Sequence, residues 1–100
     1  MHTAKFYASE IVSAIAHMHG LYLMHRDLKA SNIVLCAGGH AKLIDLGSSK
    51  QIEPRGSQAS NSLSIKDDWC EKSYTYCGTP HCMAPEMVSR EGHTPAVDWW

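Results

Sequence analysis

Eight residues, His25-Arg26-Asp27-Leu28-Lys29-Ala30-Ser31-Asn32, constrain this chain more than any other stretch. They crowd an imidazole, a guanidinium, a carboxylate, an ammonium and an amide into one short span. Among them Asp27 offers a carboxylate that can orient a hydroxyl, and Asn32, a few residues on, an amide oxygen that can hold a metal ion. The flanks show regular patterning. Upstream, Tyr7, Ile11, Ala14, Ile15, Met18 and Leu21 recur at the i, i+4, i+7 spacing of a helix with one buried face. That spacing predicts a helix over Thr3–Leu21, with Gly20 placed to close it. Downstream, Ile33-Val34-Leu35 and Lys42-Leu43-Ile44 predict two short strands joined by the Gly-containing turn 37–40. Such a hairpin brings Asn32, before its first strand, near Asp45, after its second, so that two oxygen ligands can share one cation.

The octet resembles the catalytic loop of protein kinases, H-R-D-L-x-x-x-N, at all its fixed positions. Further motifs follow in the order the family uses. Ala41-Lys42-Leu43-Ile44-Asp45-Leu46-Gly47 is similar to a strand running into D-F-G, with Leu46 in place of Phe. Cys77-Gly78-Thr79-Pro80 and Met83-Ala84-Pro85-Glu86 are similar to the peptide-binding loop and A-P-E. Val97-Asp98-Trp99-Trp100 resembles the start of the long buried helix of the kinase C-lobe. The Thr75–Pro80 run and the Val-Asp-Trp-Trp segment look most like the AGC group of serine/threonine kinases.

The resemblance implies an α+β fold: a mainly helical, kinase-like C-lobe fragment with a short β-hairpin. Residues 1–100 would hold a helix, catalytic loop, metal-binding motif, activation segment and the start of the central C-lobe helix. Nothing reads as the Gly-rich loop or the strand lysine of V-A-I-K, so the N-lobe and the rest of the C-lobe are expected to lie outside this chain. The implied activity is transfer of the ATP γ-phosphate to protein Ser/Thr hydroxyls, with ATP and Mg2+ as cofactors. A protein substrate and an upstream activating kinase are the implied partners. The competing reading is a catalytically inactive truncated or pseudokinase module that offers this surface to partners.

Residue by residue, the family pattern implies Asp27 as the base that orients the attacking hydroxyl and Lys29 as the contact to the transferred phosphate. Asn32 and Asp45 would hold the metal. Thr75 matches the activation-segment phosphosite, and Arg26 would pair with its phosphate. Thr79 would link the peptide-binding loop to Asp27 and Lys29, and Val34 would lie beneath the adenine. His25, Leu46 and Gly47 have structural places around D-F-G. Glu86 would pair with an arginine downstream, and Asp98 would accept backbone N–H groups of the catalytic loop. Ser31 and His81 stand where basic-directed AGC kinases often carry glutamates, which speaks against an arginine-reading substrate site.

Composition narrows the partners. A net charge of -1 gives no electrostatic footprint for nucleic acid, and no apolar run approaches the ~18 residues that span a bilayer. The N-terminus lacks a secretory apolar core, so a cytoplasmic or nuclear location is expected. Cys36, Cys70, Cys77 and Cys82 form no C-x-x-C pair and are read as reduced thiols, in preference to a zinc site with His81 and His93. Residues 48–73 are serine-rich without periodicity, which predicts a loop with Ile65 and Trp69 as local anchors. A short helix over Ala84–Arg90 and a second beginning at Thr94-Pro95 complete the reading.

Overall fold

The computed structural model describes residues 1–52 and 72–100. The predicted helix is present as α1, His2–Gly20. Ile15 is its buried residue, with Tyr7, Ile11, Ala14 and Met18 half-buried beside it on the face set by the apolar spacing. The helix closes differently from expectation. Leu21 lies beyond it and is exposed, its N–H bonded to the carbonyls of His17 and Met18. The left-handed residue that turns the chain is Tyr22, at φ 58°, and not Gly20.

Two small antiparallel sheets follow. Strand β1, Leu23–Met24, pairs with β4, Lys50–Gln51, in the register Leu23↔Gln51 and Met24↔Lys50. Met24 and Ile52 are fully buried there, and Ile52 N–H extends the pairing by donating to Tyr22 O at 2.8 Å. Sequence periodicity gave no sign of this pair, because two-residue strands carry no readable alternation. The expected hairpin is present as β2, Ile33–Leu35, and β3, Ala41–Leu43, with Ile33 opposite Leu43 and Leu35 opposite Ala41. Glu10 on α1 fastens that hairpin. Its Oε2 accepts from Ala41 N at 2.8 Å and its Oε1 meets His40 Nδ1 at 2.5 Å. The Ala41 hydrogen bond, then the one to His40, hold the Glu10 carboxyl below the usual range.

The C-terminal part packs Met83, Ala84, Met87 and Val97 into one apolar cluster, with Cys77 against it. The helix expected over Ala84–Arg90 is only α2, Pro85–Val88, because Arg90 already has φ 58° and Gly92 φ 84°. Tyr74 requires that glycine: a Cβ on Gly92 would lie 2.8 Å from its ring. The final segment, Pro95–Trp99, is a 3₁₀ turn, opened by Thr94 Oγ1 accepting from Ala96 N at 3.4 Å. Val97 is buried, Trp99 is half exposed and Trp100 is 73% exposed. Among the described residues no helix is long and apolar enough to cross a membrane. The anchors Ile65 and Trp69, and most of the predicted loop, lie outside the described residues.

Candidate functional site

The octet leaves β1 at Met24 and enters β2 through a 3₁₀ turn, Ala30–Asn32. Asp98 holds its first half. One carboxylate oxygen accepts from His25 N and the other from Arg26 N, both at 2.8 Å, and His19 Nε2 meets the first at 2.8 Å. Two consecutive N–H groups on one carboxylate fix the backbone just before Asp27, and Arg26 is driven to φ 69° in doing so. His25 is wholly buried. Its Nδ1 accepts from Asp27 N at 3.2 Å, which makes Nε2 the protonated nitrogen that donates to Ile44 O at 3.1 Å. One imidazole therefore ties the loop to the strand that leads to Asp45.

Asp27 sits at the centre. Thr79 Oγ1 donates to Asp27 Oδ1 at 2.8 Å, while Lys29 Nζ donates to Thr79 Oγ1 at 2.6 Å and lies 3.4 Å from Asp27 Oδ2. Asn32 Nδ2 donates to Asp27 O at 2.8 Å and to Oδ2 at 3.3 Å. Burial pushes the Asp27 carboxyl up, but the hydrogen bonds from Thr79 and Lys29, the Lys29 charge and the Asn32 amide outweigh it and hold the group below its ordinary value. Thr79 reaches this position because Gly78 lets two backbones touch. Gly78 has φ 95°, and a Cβ there would stand 2.7 Å from Arg26 O.

Asn32 and Asp45 are brought together by the base of the hairpin, where Ile44 N donates to Asn32 O at 2.9 Å. Asp45 is exposed at φ 60°, its Oδ1 accepting from Gly47 N at 3.2 Å in a local turn. Both hydrogen bonds of the Asn32 amide leave from Nδ2, so Oδ1 keeps its lone pairs. The Asn32 amide oxygen and the Asp45 carboxylate at the base of the hairpin are oxygen donors of the kind a hard divalent cation such as Mg2+ takes. Val34 and Leu46 are exposed.

Arg26 turns the other way. Its Nε donates to Ser48 O at 2.6 Å and one terminal nitrogen to Ser73 Oγ at 3.1 Å, where Lys50 Nζ also arrives at 3.5 Å. Thr75 is exposed, two residues along, and makes no contact with Arg26 among the described residues. Ser73 pairs with His93 in an isolated bridge, each N–H on the other's carbonyl at 2.9 and 2.8 Å. Sequence reasoning missed Lys50, Ser73 and His93, since residues 73 and 93 meet only through the folded chain. His19, at the end of α1, carries no motif either, yet reaches the Asp98 carboxylate. Glu86 is half-buried on α2. Cys77, Cys82, His81 and His93 do not gather into a metal-binding group among the described residues.

The protein kinase domain profile matches residues 1–100. The chain belongs to the protein kinase family. It is 44% identical over 96 residues to ribosomal protein S6 kinase alpha-6 of Danio rerio, which covers 96% of this chain and 11% of that protein. To the cAMP-dependent protein kinase, catalytic subunit-like, of Caenorhabditis elegans it is 41% identical over 97 residues, covering 97% of this chain and 20% of that one. To cAMP-dependent protein kinase catalytic subunit 3 of Drosophila melanogaster it is 39% identical over 98 residues, or 98% and 14% respectively. This kinase-family chain thus spans about a tenth to a fifth of the length of these curated relatives. They bear out the AGC resemblance read from the motifs.

Proposed function

We propose that these residues form the C-lobe part of a serine/threonine protein kinase that moves the γ-phosphate of ATP to a protein hydroxyl. The observation that carries this reading is the closed contact of Thr79 Oγ1 with both Asp27 Oδ1 and Lys29 Nζ. A residue of the peptide-binding loop is bonded to both groups that would act on the reacting atoms. Nothing in the geometry favours an inactive interaction module, because that loop chemistry is complete.

Asp27 receives the substrate hydroxyl's hydrogen bond and aims its oxygen. Held ionised by Thr79, Lys29 and Asn32, it is a weak base at neutral pH, suited to orientation and to taking the proton as the hydroxyl becomes acidic during attack. Lys29 faces the negative charge on the transferred group. Asn32 Oδ1 and Asp45 would hold Mg2+, which would supply positive charge to offset that on the phosphate oxygens. Val34 offers an apolar surface to the adenine, with His25, Leu46 and Gly47 supporting the metal-ligand strand. Asp98 positions Asp27 through the backbone, and Glu86 anchors the end of the peptide-binding segment. Phosphorylated Thr75 engages Arg26 and Lys50, whose side chains already converge two residues away on Ser73.

The test uses the complete kinase domain with labelled ATP and Mg2+ on a Ser/Thr protein substrate. Label should appear on serine or threonine, and Asp45→Asn should suppress transfer with a raised requirement for Mg2+. Transfer that is unchanged in Asp45→Asn at limiting Mg2+ would overturn the metal assignment.

A further inference from the structure

Near Arg26 lies a buried group that the proposed chemistry does not use. His93 is 2% exposed, and its Nε2 has no hydrogen-bond partner among the described residues. A buried polar atom left unmatched is costly, on the order of 1–3 kcal/mol, so its place calls for a reason. In the bridge that His93 makes with Ser73, each residue gives and takes a backbone hydrogen bond, and directly opposed residues of such a pair project their side chains to the same face. Ser73 Oγ on that face is the point where Arg26 and Lys50 converge. Two cations, a small hydroxyl and an unmatched imidazole nitrogen therefore crowd one place, with no carboxylate on the hydroxyl among the described residues.

We propose that His93 is the third ligand of an anion pocket formed with Arg26 and Lys50, donating Nε2–H to a phosphate ester and taking up a proton from solvent as that phosphate arrives. The proposal rests on the reading that phosphorylated Thr75 engages Arg26. It adds a proton-linked partner that a pairing of phosphate with two fixed cations does not contain.

The charges around His93 give the direction. Burial first, then Arg26 from the loop after β1 and Lys50 from β4, hold its imidazole below the usual histidine range, so it is neutral while those cations lack a counterion. Glu86 on α2 and Asp98 on the final turn pull the opposite way, and Lys72, which reaches Gly92, is exposed. A phosphate dianion between Arg26 and Lys50 cancels the repulsion and supplies an acceptor for Nε2–H. The proton is bound in the window between the lowered free value and the raised value of the phosphorylated state. Within that window, phosphorylation stabilises the domain more as pH falls.

The experiment compares the complete kinase domain with Thr75 unphosphorylated and stoichiometrically phosphorylated. Ring resonances of His93 are followed by NMR over pH, kept above roughly 6.5 for stability measurements because the phosphate itself titrates near 6. Phosphorylation should raise the His93 pKa by about one unit or more, and Arg26→Ala should alter that rise. The gain in Tm on phosphorylation should grow from pH 8 towards 6.5, and His93→Asn should flatten that growth while keeping the gain at pH 8. An unshifted His93, or equal slopes in wild type and His93→Asn, overturns the inference. Should His93→Asn not fold, the wild-type titration alone decides. Arg26→Ala separates the two readings: if it abolishes the gain while His93 stays unshifted, only the His93 inference falls, and if the gain survives it, the Arg26 reading falls as well.

Discussion

Asp98 Oδ1 accepts the backbone N–H of Arg26 at 2.8 Å, across 72 positions of sequence. The same carboxylate takes His25 N and is buried, so the residue that shapes the start of the His25–Asn32 loop lies more than seventy positions from it. Replacing Asp98 by Ala leaves one buried and one part-buried N–H group unmatched and should cost about 1–3 kcal/mol of stability per lost partner at most. In the complete kinase kcat should fall more than KM rises, since what is lost is the placing of Asp27. Denaturant melts and initial rates on Asp98→Ala check both. An unchanged melting midpoint with full turnover would refute the positioning role.

Thr79 should tune the Asp27 carboxyl. Its hydrogen bond favours the charged form, so Thr79→Val should raise the Asp27 pKa towards, or beyond, the ordinary carboxylate value. The sign follows directly. A carboxylate whose pKa is depressed stays active down to low pH, and raising that pKa brings the acid loss of activity to higher pH. A pH profile of kcat/KM for Thr79→Val should show its acid limb displaced upward from wild type, where an unmoved limb would deny the coupling.

Gly78→Ala should disable the site without touching a reacting group. The added methyl would meet Arg26 O at 2.7 Å in a backbone at φ 95°, and that oxygen belongs to the main chain, which cannot swing aside as a flexible side chain would. A strained left-handed residue and a main-chain clash together cost about 1–3 kcal/mol or more. The peptide-binding loop should then withdraw from Asp27. Loss of activity with increased proteolysis near residues 77–82 is the expected pattern, to be read by limited digestion and mass spectrometry.

The octet, the hairpin and the helix face were legible because each is local: motif order, two apolar runs around glycines, and a 3.6-residue rhythm over α1. What was not legible depends on distance. The β1–β4 pair joins two residues to two across the whole hairpin, too short for alternation to mark. Ser73 and His93 carry no motif and meet by a single bridge. The 3₁₀ form of Pro95–Trp99 was read as an ordinary helix start because Thr94-Pro95 signals where a helical turn begins and not which kind follows. Tyr22, Arg26, Asp45 and Arg90 all adopt positive φ without being glycine; at Tyr22 and Arg26 long-range hydrogen bonds to Ile52 and Asp98 accompany that choice, which propensity does not show.

The central claim is that Asp27 acts on the reacting hydroxyl and is not merely one member of a polar network. The deciding measurement is steady-state kinetics of Asp27→Asn in the complete kinase domain, with nucleotide affinity determined in parallel. Asparagine can keep the contacts to Thr79 and Lys29 in part, but it cannot accept the hydroxyl's proton. The account predicts a fall in kcat of roughly 10²–10⁴-fold, with the Kd for Mg2+–ATP changed far less. Turnover near the wild-type rate in Asp27→Asn would contradict it.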